Sequence, residues 1–242
     1  WHRRWLDARL LAELIRHQRL VTHLGGERAT PSVPAHWSSY GDPANSWMAW
    51  YSRAVERTLG LPTAVVNRAH LEESLNDLLD LLGDNNADPN MRTGQIGFHQ
   101  TTSARSHRIE HRLHVVEVSL LVLTLLFCGL HLAHSFLHDL HLPSSWLIFG
   151  CGVFPALGAS LAGINNQGEF RRIDKRSRAM QSRLSVQAEK LQRLKATLHS
   201  SSSDDRQFSP EIALVASETA RMMVNEVLDW RVMFQDRPLN TT

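Results

Sequence analysis

Hydrophobic positions along this chain follow helical spacing almost throughout, and in two places they close up into long apolar stretches, the first narrowed by Glu117 and His131. The runs are Val115 to Leu137 and Trp146 to Ile164, separated by eight residues. At helical rise they extend about 34 Å and about 28 Å, against a bilayer hydrocarbon core of about 30 Å. The joint, His138-Asp139-Leu140-His141-Leu142-Pro143-Ser144-Ser145, is a Pro-containing turn too short to hold a domain. The pattern predicts an all-α membrane protein built on a two-transmembrane helical hairpin. A buried hairpin inside a soluble protein is the competing arrangement. Against it, Val118 to Leu130 and Trp146 to Ile164 carry no charge, whereas soluble core helices usually keep a polar stripe.

The remaining pattern is also helical. Trp5, Ala8, Ala12 and Ile15 recur on one face with Leu6, Leu10 and Leu14 beside them, and Gly25-Gly26 reads as the end of that helix. Thr30 to Pro43, with three prolines, reads as a loop. Asn45 or Ser46 can cap a second helix through Trp47, Trp50, Tyr51, Ala54 and Val55, closed near Gly60 and Pro62. Thr63 is expected to open a third, carrying Leu71, Leu75, Leu78, Leu79 and Leu82 before Gly83. Asp84 to Gly94 is a turn-rich connector. From Gln95 the pattern runs without a breaker into the first span, so one long helix is expected to enter the membrane.

After the second span, Ile173, Met180, Leu184, Leu191, Leu194 and Leu198 hold a and d positions of one heptad frame, with Ser177 and Gln187 in its gaps. This segment reads either as a coiled-coil-like helix or as one packed on the Gln95 helix of its own subunit. Ser200 to Asp205 reads as a linker. Ser209 is expected to cap a last helix, with Pro210 at its first position and Glu211 at its positive end. Four regions follow: a helical region over 1–93, the hairpin with its flanking helices over 94–198, a linker over 199–208, and a C-terminal helix over 209–242. The chain begins Trp1-His2-Arg3-Arg4, without an initiator Met or a signal peptide, and reads as a piece of a longer polypeptide.

Net charge is only +2, but the basic residues are placed unevenly. Arg105, Arg108 and Arg112 precede the first span; Arg171, Arg172, Lys175, Arg176 and Arg178 follow the second. The turn holds only Asp139. Basic flanks stay on the cytoplasmic side, so both termini are expected there, with the turn outside. The same flanks suit anionic inner-leaflet lipids, and Trp146 suits the outer aromatic belt. Cys128 and Cys151 are the two cysteines of the chain and fall inside the spans, so they form no disulfide scaffold.

No glycine-rich phosphate loop, nucleophile elbow or Cys/His zinc spacing occurs, which argues against an enzyme and against a resident cofactor. Nothing in the pattern points to a nucleic-acid partner. Three intramembrane features can carry function. His131, His134, His138 and His141, spaced three, four and three apart, share one helical face. They read as polar tips in the headgroups, as a pH-sensitive pore lining, or as metal ligands. Glu117, one turn inside the first span, either pairs with Arg112 or His114 or lines a water-filled path. Gly152, Ala156 and Ser160, and also Ala159 and Gly163, stand four apart on the second span, the spacing that lets membrane helices pack closely. Those small faces serve the hairpin itself or contact between subunits. Pro155 can bend the same helix.

A two-span hairpin with a short outer turn, entered by the long helix containing Ser106-His-Arg-Ile-Glu-His-Arg-Leu-His114 and left by a basic heptad helix, resembles the SMODS- and SLOG-associating two-transmembrane effector (SLATT) family of bacteria. The C-terminal stretch Asp229-Trp230-Arg231-Val232-Met233-Phe234 is similar to tails of its larger fusion members. The resemblance covers residues 95 to 235 and rests on architecture. It implies an antiphage effector in the bacterial inner membrane, whose hairpins assemble as a homo-oligomer and permeabilise the bilayer when an upstream sensor module detects infection or a nucleotide signal. It carries no catalytic residues across, and the His stripe departs from it. Alternatives are a membrane anchor or scaffold for cytoplasmic domains, and a membrane metalloenzyme using the His stripe.

Overall fold

A computed structural model describes residues 2–22, 24–25, 46–60, 66–83, 93–136, 144–200 and 207–235. The described residues are helical, with no strand among them. In chain order the helices are α1 (His2–Thr22), α2 (Trp47–Leu59), α3 (Arg68–Leu82), α4 (Gly94–Phe136), α5 (Ser144–Gly168), α6 (Phe170–Ser200) and α7 (Phe208–Gln235). They divide into two compact units, Trp1–Gly94 with Leu184–Thr242, and Gln95–Arg183.

In the first unit, α1 packs on α7 and α2, and α3 packs on α7. Its core is leucine-rich: Leu10 and Leu14 of α1, Leu71, Leu75, Leu78 and Leu82 of α3, Leu184, Leu191 and Leu198 of α6, and Ile212 and Val224 of α7. The face of α1 that packs differs from the one led by Trp5, Ala8, Ala12 and Ile15, all of which are exposed. Leu10, Leu14, His17 and Val21, at spacings of four, three and four, are buried instead. That face also places Gln18 against α2, where its Nε2 donates to Ser52 Oγ at 2.6 Å. Ser46, not Asn45, caps α2, accepting from the Ala49 N–H at 3.4 Å. α3 starts later than Thr63 suggested, because Asn67 accepts from the His70 N–H at 2.9 Å and Val66 and Asn67 are non-helical. α7 begins at Phe208, so Ser209 lies inside it, while Pro210 and Glu211 keep their first-turn places.

The heptad face of α6 is occupied within the chain. Met180, Leu184, Leu191 and Leu198 are buried, as are the two gap residues Ser177 and Gln187. Over 184–200 the neighbours come from the first unit: Lys190 reaches Glu218 of α7 at 3.4 Å, and Arg68 of α3 donates to the Leu198 carbonyl. Over 170–183 they come from the second. The seam that suggested a coiled coil is therefore spent on intramolecular packing along most of its length. Regions expected as loop or linker, 30–43, 84–92 and 201–206, lie outside the described residues, as do Gly26 and Asn45.

The second unit is α4, α5 and the start of α6. α4 runs unbroken for 43 residues, about 65 Å at helical rise, roughly twice a hydrocarbon core. α5 runs through Pro155. It ends at Gly168, and Glu169, at φ 49°, turns the chain into α6. The Glu169 carbonyl accepts from the N–H groups of Arg172 and Ile173, which makes Glu169 the first capping residue of α6. α4 and α5 are each long and apolar enough to cross a membrane. In the most apolar eighteen-residue stretch of α4 nothing is buried, and in that of the α5 run 11% is. A hairpin at the centre of a soluble protein would bury most of both.

Candidate functional site

The contacts of α4 fall in descending order along α5 and α6, so the helices run antiparallel. Ser103 Oγ donates to Asp174 Oδ1 at 2.5 Å, and Arg171 Nε lies 3.7 Å from Glu110. Farther along α4, Phe127 meets Phe154 edge-on, with ring centroids 5.1 Å apart, and the Cys128 thiol donates to Cys151 Sγ at 3.3 Å. Of these α4 residues, Ser103, Glu110 and Phe127 belong to one stripe stepping alternately by three and four: Ser103, Ser106, Glu110, Leu113, Glu117, Leu120, Thr124, Phe127, His131 and His134. Every member is buried or half-buried while most positions between them are exposed. The matching stripe on α5 is Leu147, Gly150, Phe154, Gly158, Leu161 and Asn165. Steps of three and four, strictly alternating on α4 and with one repeated step of four on α5, are the pattern of a left-handed, knobs-into-holes pair.

Glu117, His131 and His134 therefore share the stripe whose members touch α5 and α6. Glu117 Oε2 is 4.0 Å from His114 Nδ1, one of the two partners expected for it; its Oε1 is shielded and has no hydrogen-bond partner among the described residues. His131 and His134 are half-buried with their Nδ1 atoms shielded. His138 and His141 lie outside the described residues. Among the described residues no three His, Cys, Asp or Glu side chains gather as metal ligands.

The small residues of α5 lie elsewhere. Gly152, Ala156, Ala159, Ser160 and Gly163 are all exposed, and a Cβ on Gly152 or Gly163 would meet open space. The close approach within the chain is made by Gly150, on whose Cα the Phe127 ring packs so tightly that a Cβ would overlap it. Packing among the described residues thus leaves the face formed by Gly152, Ala156, Ala159, Ser160 and Gly163 exposed.

At the polar end of the pair, Asp174 is buried and accepts from Ser103 Oγ and from Arg178 Nε at 2.8 Å, with His107 Nδ1 3.8 Å away. Arg172 pairs with Glu169 at 3.1 Å. Arg105, Arg108, Arg112 and Lys175 are exposed, and Arg176 is half-buried. Trp146 is 67% exposed at the opposite end, edge-on to Phe149. The 3–4 stripe, Gly150 and the Asp174 cluster are features the sequence reading did not single out; the stripe was present in the spacing from Ser103 to His134. Comparison of the chain with family models, curated proteins and solved structures finds no match to any of them.

Proposed function

We propose that the chain is a non-enzymatic membrane effector of the SLATT kind, which assembles as a homo-oligomer in a bacterial inner membrane and forms or gates a pore on a signal from an upstream sensor, in antiphage defence. The observation that carries this reading is the polar stripe of α4. Glu117, Thr124, His131 and His134 run along one face of a helix whose other faces are apolar and uncovered. A carboxylate and imidazoles inside hydrocarbon are costly unless a partner or water reaches them. Held against α5 they are shielded; in the open form they line the path, and their charge sets what passes. The uncovered small surface, Gly152 to Gly163, is where neighbouring hairpins approach. The uneven basic flanks, Arg105 to Arg112 and Arg171 to Arg178, hold both termini in the cytoplasm and rest on anionic lipid.

A second reading is favoured by the inward direction of the same stripe: the hairpin is a closed anchor that localises the helices of the first unit. Planar-bilayer recording with the reconstituted chain separates the two. A pore gives a conductance whose ion preference changes in Glu117→Ala and whose pH dependence changes in His131→Ala with His134→Ala. Conductance absent from the wild type, or unaltered by all three substitutions, leaves the anchor.

A further inference from the structure

Cys128 and Cys151 stand apart from the polar stripe in one respect: their sulfurs are already neighbours, 3.3 Å apart, from two different helices. Cys128 is eight residues from the described end of α4 and Cys151 seven from the start of α5, depths of about 12 Å and about 11 Å. Phe127 packed on Phe154 and on Gly150 holds the two backbones together beside them. Pro155 has no N–H to give the Cys151 carbonyl, so the α5 turn that carries this sulfur lacks one of its backbone bonds. A disulfide needs the sulfurs at about 2.0 Å, a closure of roughly 1.3 Å, within reach of such a softened turn.

We propose that Cys128 and Cys151 are a redox modification site: a dithiol that closes reversibly to a disulfide between α4 and α5, with a lipid-soluble quinone as oxidant. Two S–H bonds break and one S–S bond forms. The two electrons and two protons pass to the quinone, whose carbonyl oxygens become the hydroxyls of a hydroquinone. The class of oxidant follows from depth, since water-soluble oxidants reach a site in hydrocarbon poorly; this clause rests on the membrane-crossing reading, whereas the pairing itself does not. Once closed, the bond fixes the register of the two helices and holds the stripe from Glu117 to His134 against α5.

The test uses the full chain, reduced and reconstituted in phospholipid vesicles, then treated with decyl-ubiquinone, unfolded and alkylated with N-ethylmaleimide. Mass spectrometry is expected to show maleimide uptake falling from two per chain to none, with loss of two hydrogens, and dithiothreitol restoring both sites. Cys151→Ser should take up one maleimide under every condition. Retention of two maleimides in the wild type, or disulfide-linked dimers on a non-reducing gel, overturns the pair. Closure by hydrogen peroxide in detergent but not by the quinone in vesicles overturns the oxidant. Recovery of the chain in the supernatant, outside the vesicles, overturns the membrane reading and with it the quinone as oxidant.

Discussion

The Phe127 ring lies against the backbone of Gly150, so a Cβ there would overlap it, whereas two residues on, at Gly152, a Cβ would meet open space. The two glycines thus report on different surfaces of α5. Gly150→Ala is expected to lower the stability of the helix pair by about 1–3 kcal/mol through overpacking, read as a lower unfolding temperature in detergent. Phe127→Ala in the same chain should recover part of that loss, the signature of a coupled pair. Gly152→Leu should leave the unfolding temperature unchanged and reduce the oligomer seen by native mass spectrometry. An unchanged oligomer in both Gly152→Leu and Ala156→Leu would remove the small-residue surface as an interface.

Asp174 holds the polar end of the pair. Its carboxylate is buried and takes the Ser103 hydroxyl and the Arg178 guanidinium. Ser103→Ala removes a hydrogen bond to a charged acceptor and should cost about 1.5–3 kcal/mol. Arg178→Ala should cost under about 1 kcal/mol, because its side chain is 59% exposed and solvent screens the pair. Denaturant titration of the two variants orders them; a larger loss in Arg178→Ala than in Ser103→Ala would reverse the assignment of what anchors α6.

Acid sensitivity is expected in the first unit. Burial pushes the Glu13 carboxyl up, but the His17 hydrogen bond and the nearby Arg16 outweigh it and hold the group below its ordinary 4.5. A carboxyl lowered on folding contributes stability that is present above 4.5 and is lost as pH falls through the native value. Thermal unfolding followed between neutral and acid pH should show a steeper decline in the wild type than in Glu13→Gln. Parallel pH curves for the two would mean that the pairing with His17 and Arg16 contributes nothing.

Local signals made most helices legible. Apolar runs gave the two long helices, Gly60 and Gly83 marked the ends of α2 and α3, and the α3 leucines turned up in the core. Tertiary choices were harder to read. α1 carries apolar residues on two faces, and only packing on α7 and α2 decides that Leu10, Leu14 and Val21 go inside. The α6 heptads specify an apolar seam without naming its partner, and chain connectivity supplies α3, α4 and α7 before any second copy. Five small residues advertise close packing on α5, yet the contact falls at Gly150, because Phe127 on the facing helix fixes the register. Glu117 and the histidines were recognisable as costly in lipid, whereas their direction toward α5 and α6 depends on a 3–4 stripe that includes serines and leucines as much as charges.

In the proposed topology both ends of the chain are cytoplasmic, a reading that rests on three arginines before the first apolar stretch and five basic residues after the second, against none in the turn. Fusion tags at Trp1 and Thr242 should therefore be inaccessible to protease outside intact cells. Ser144→Cys, made in a chain carrying Cys128→Ser and Cys151→Ser, should react with a membrane-impermeant maleimide added outside. The substitution sits at the first residue of α5, within the joint and six residues before Gly150, so it tests exposure without disturbing the pair. Of the basic residues at the other end, all but the half-buried Arg176 are exposed; in the proposed topology anionic lipid would add about 1 kcal/mol per exposed Lys or Arg to their retention. Labelling at position 144 only after the cells are opened would invert the arrangement, and with it the assignment of Arg105 to Arg112 and Arg171 to Arg178 to the inner leaflet.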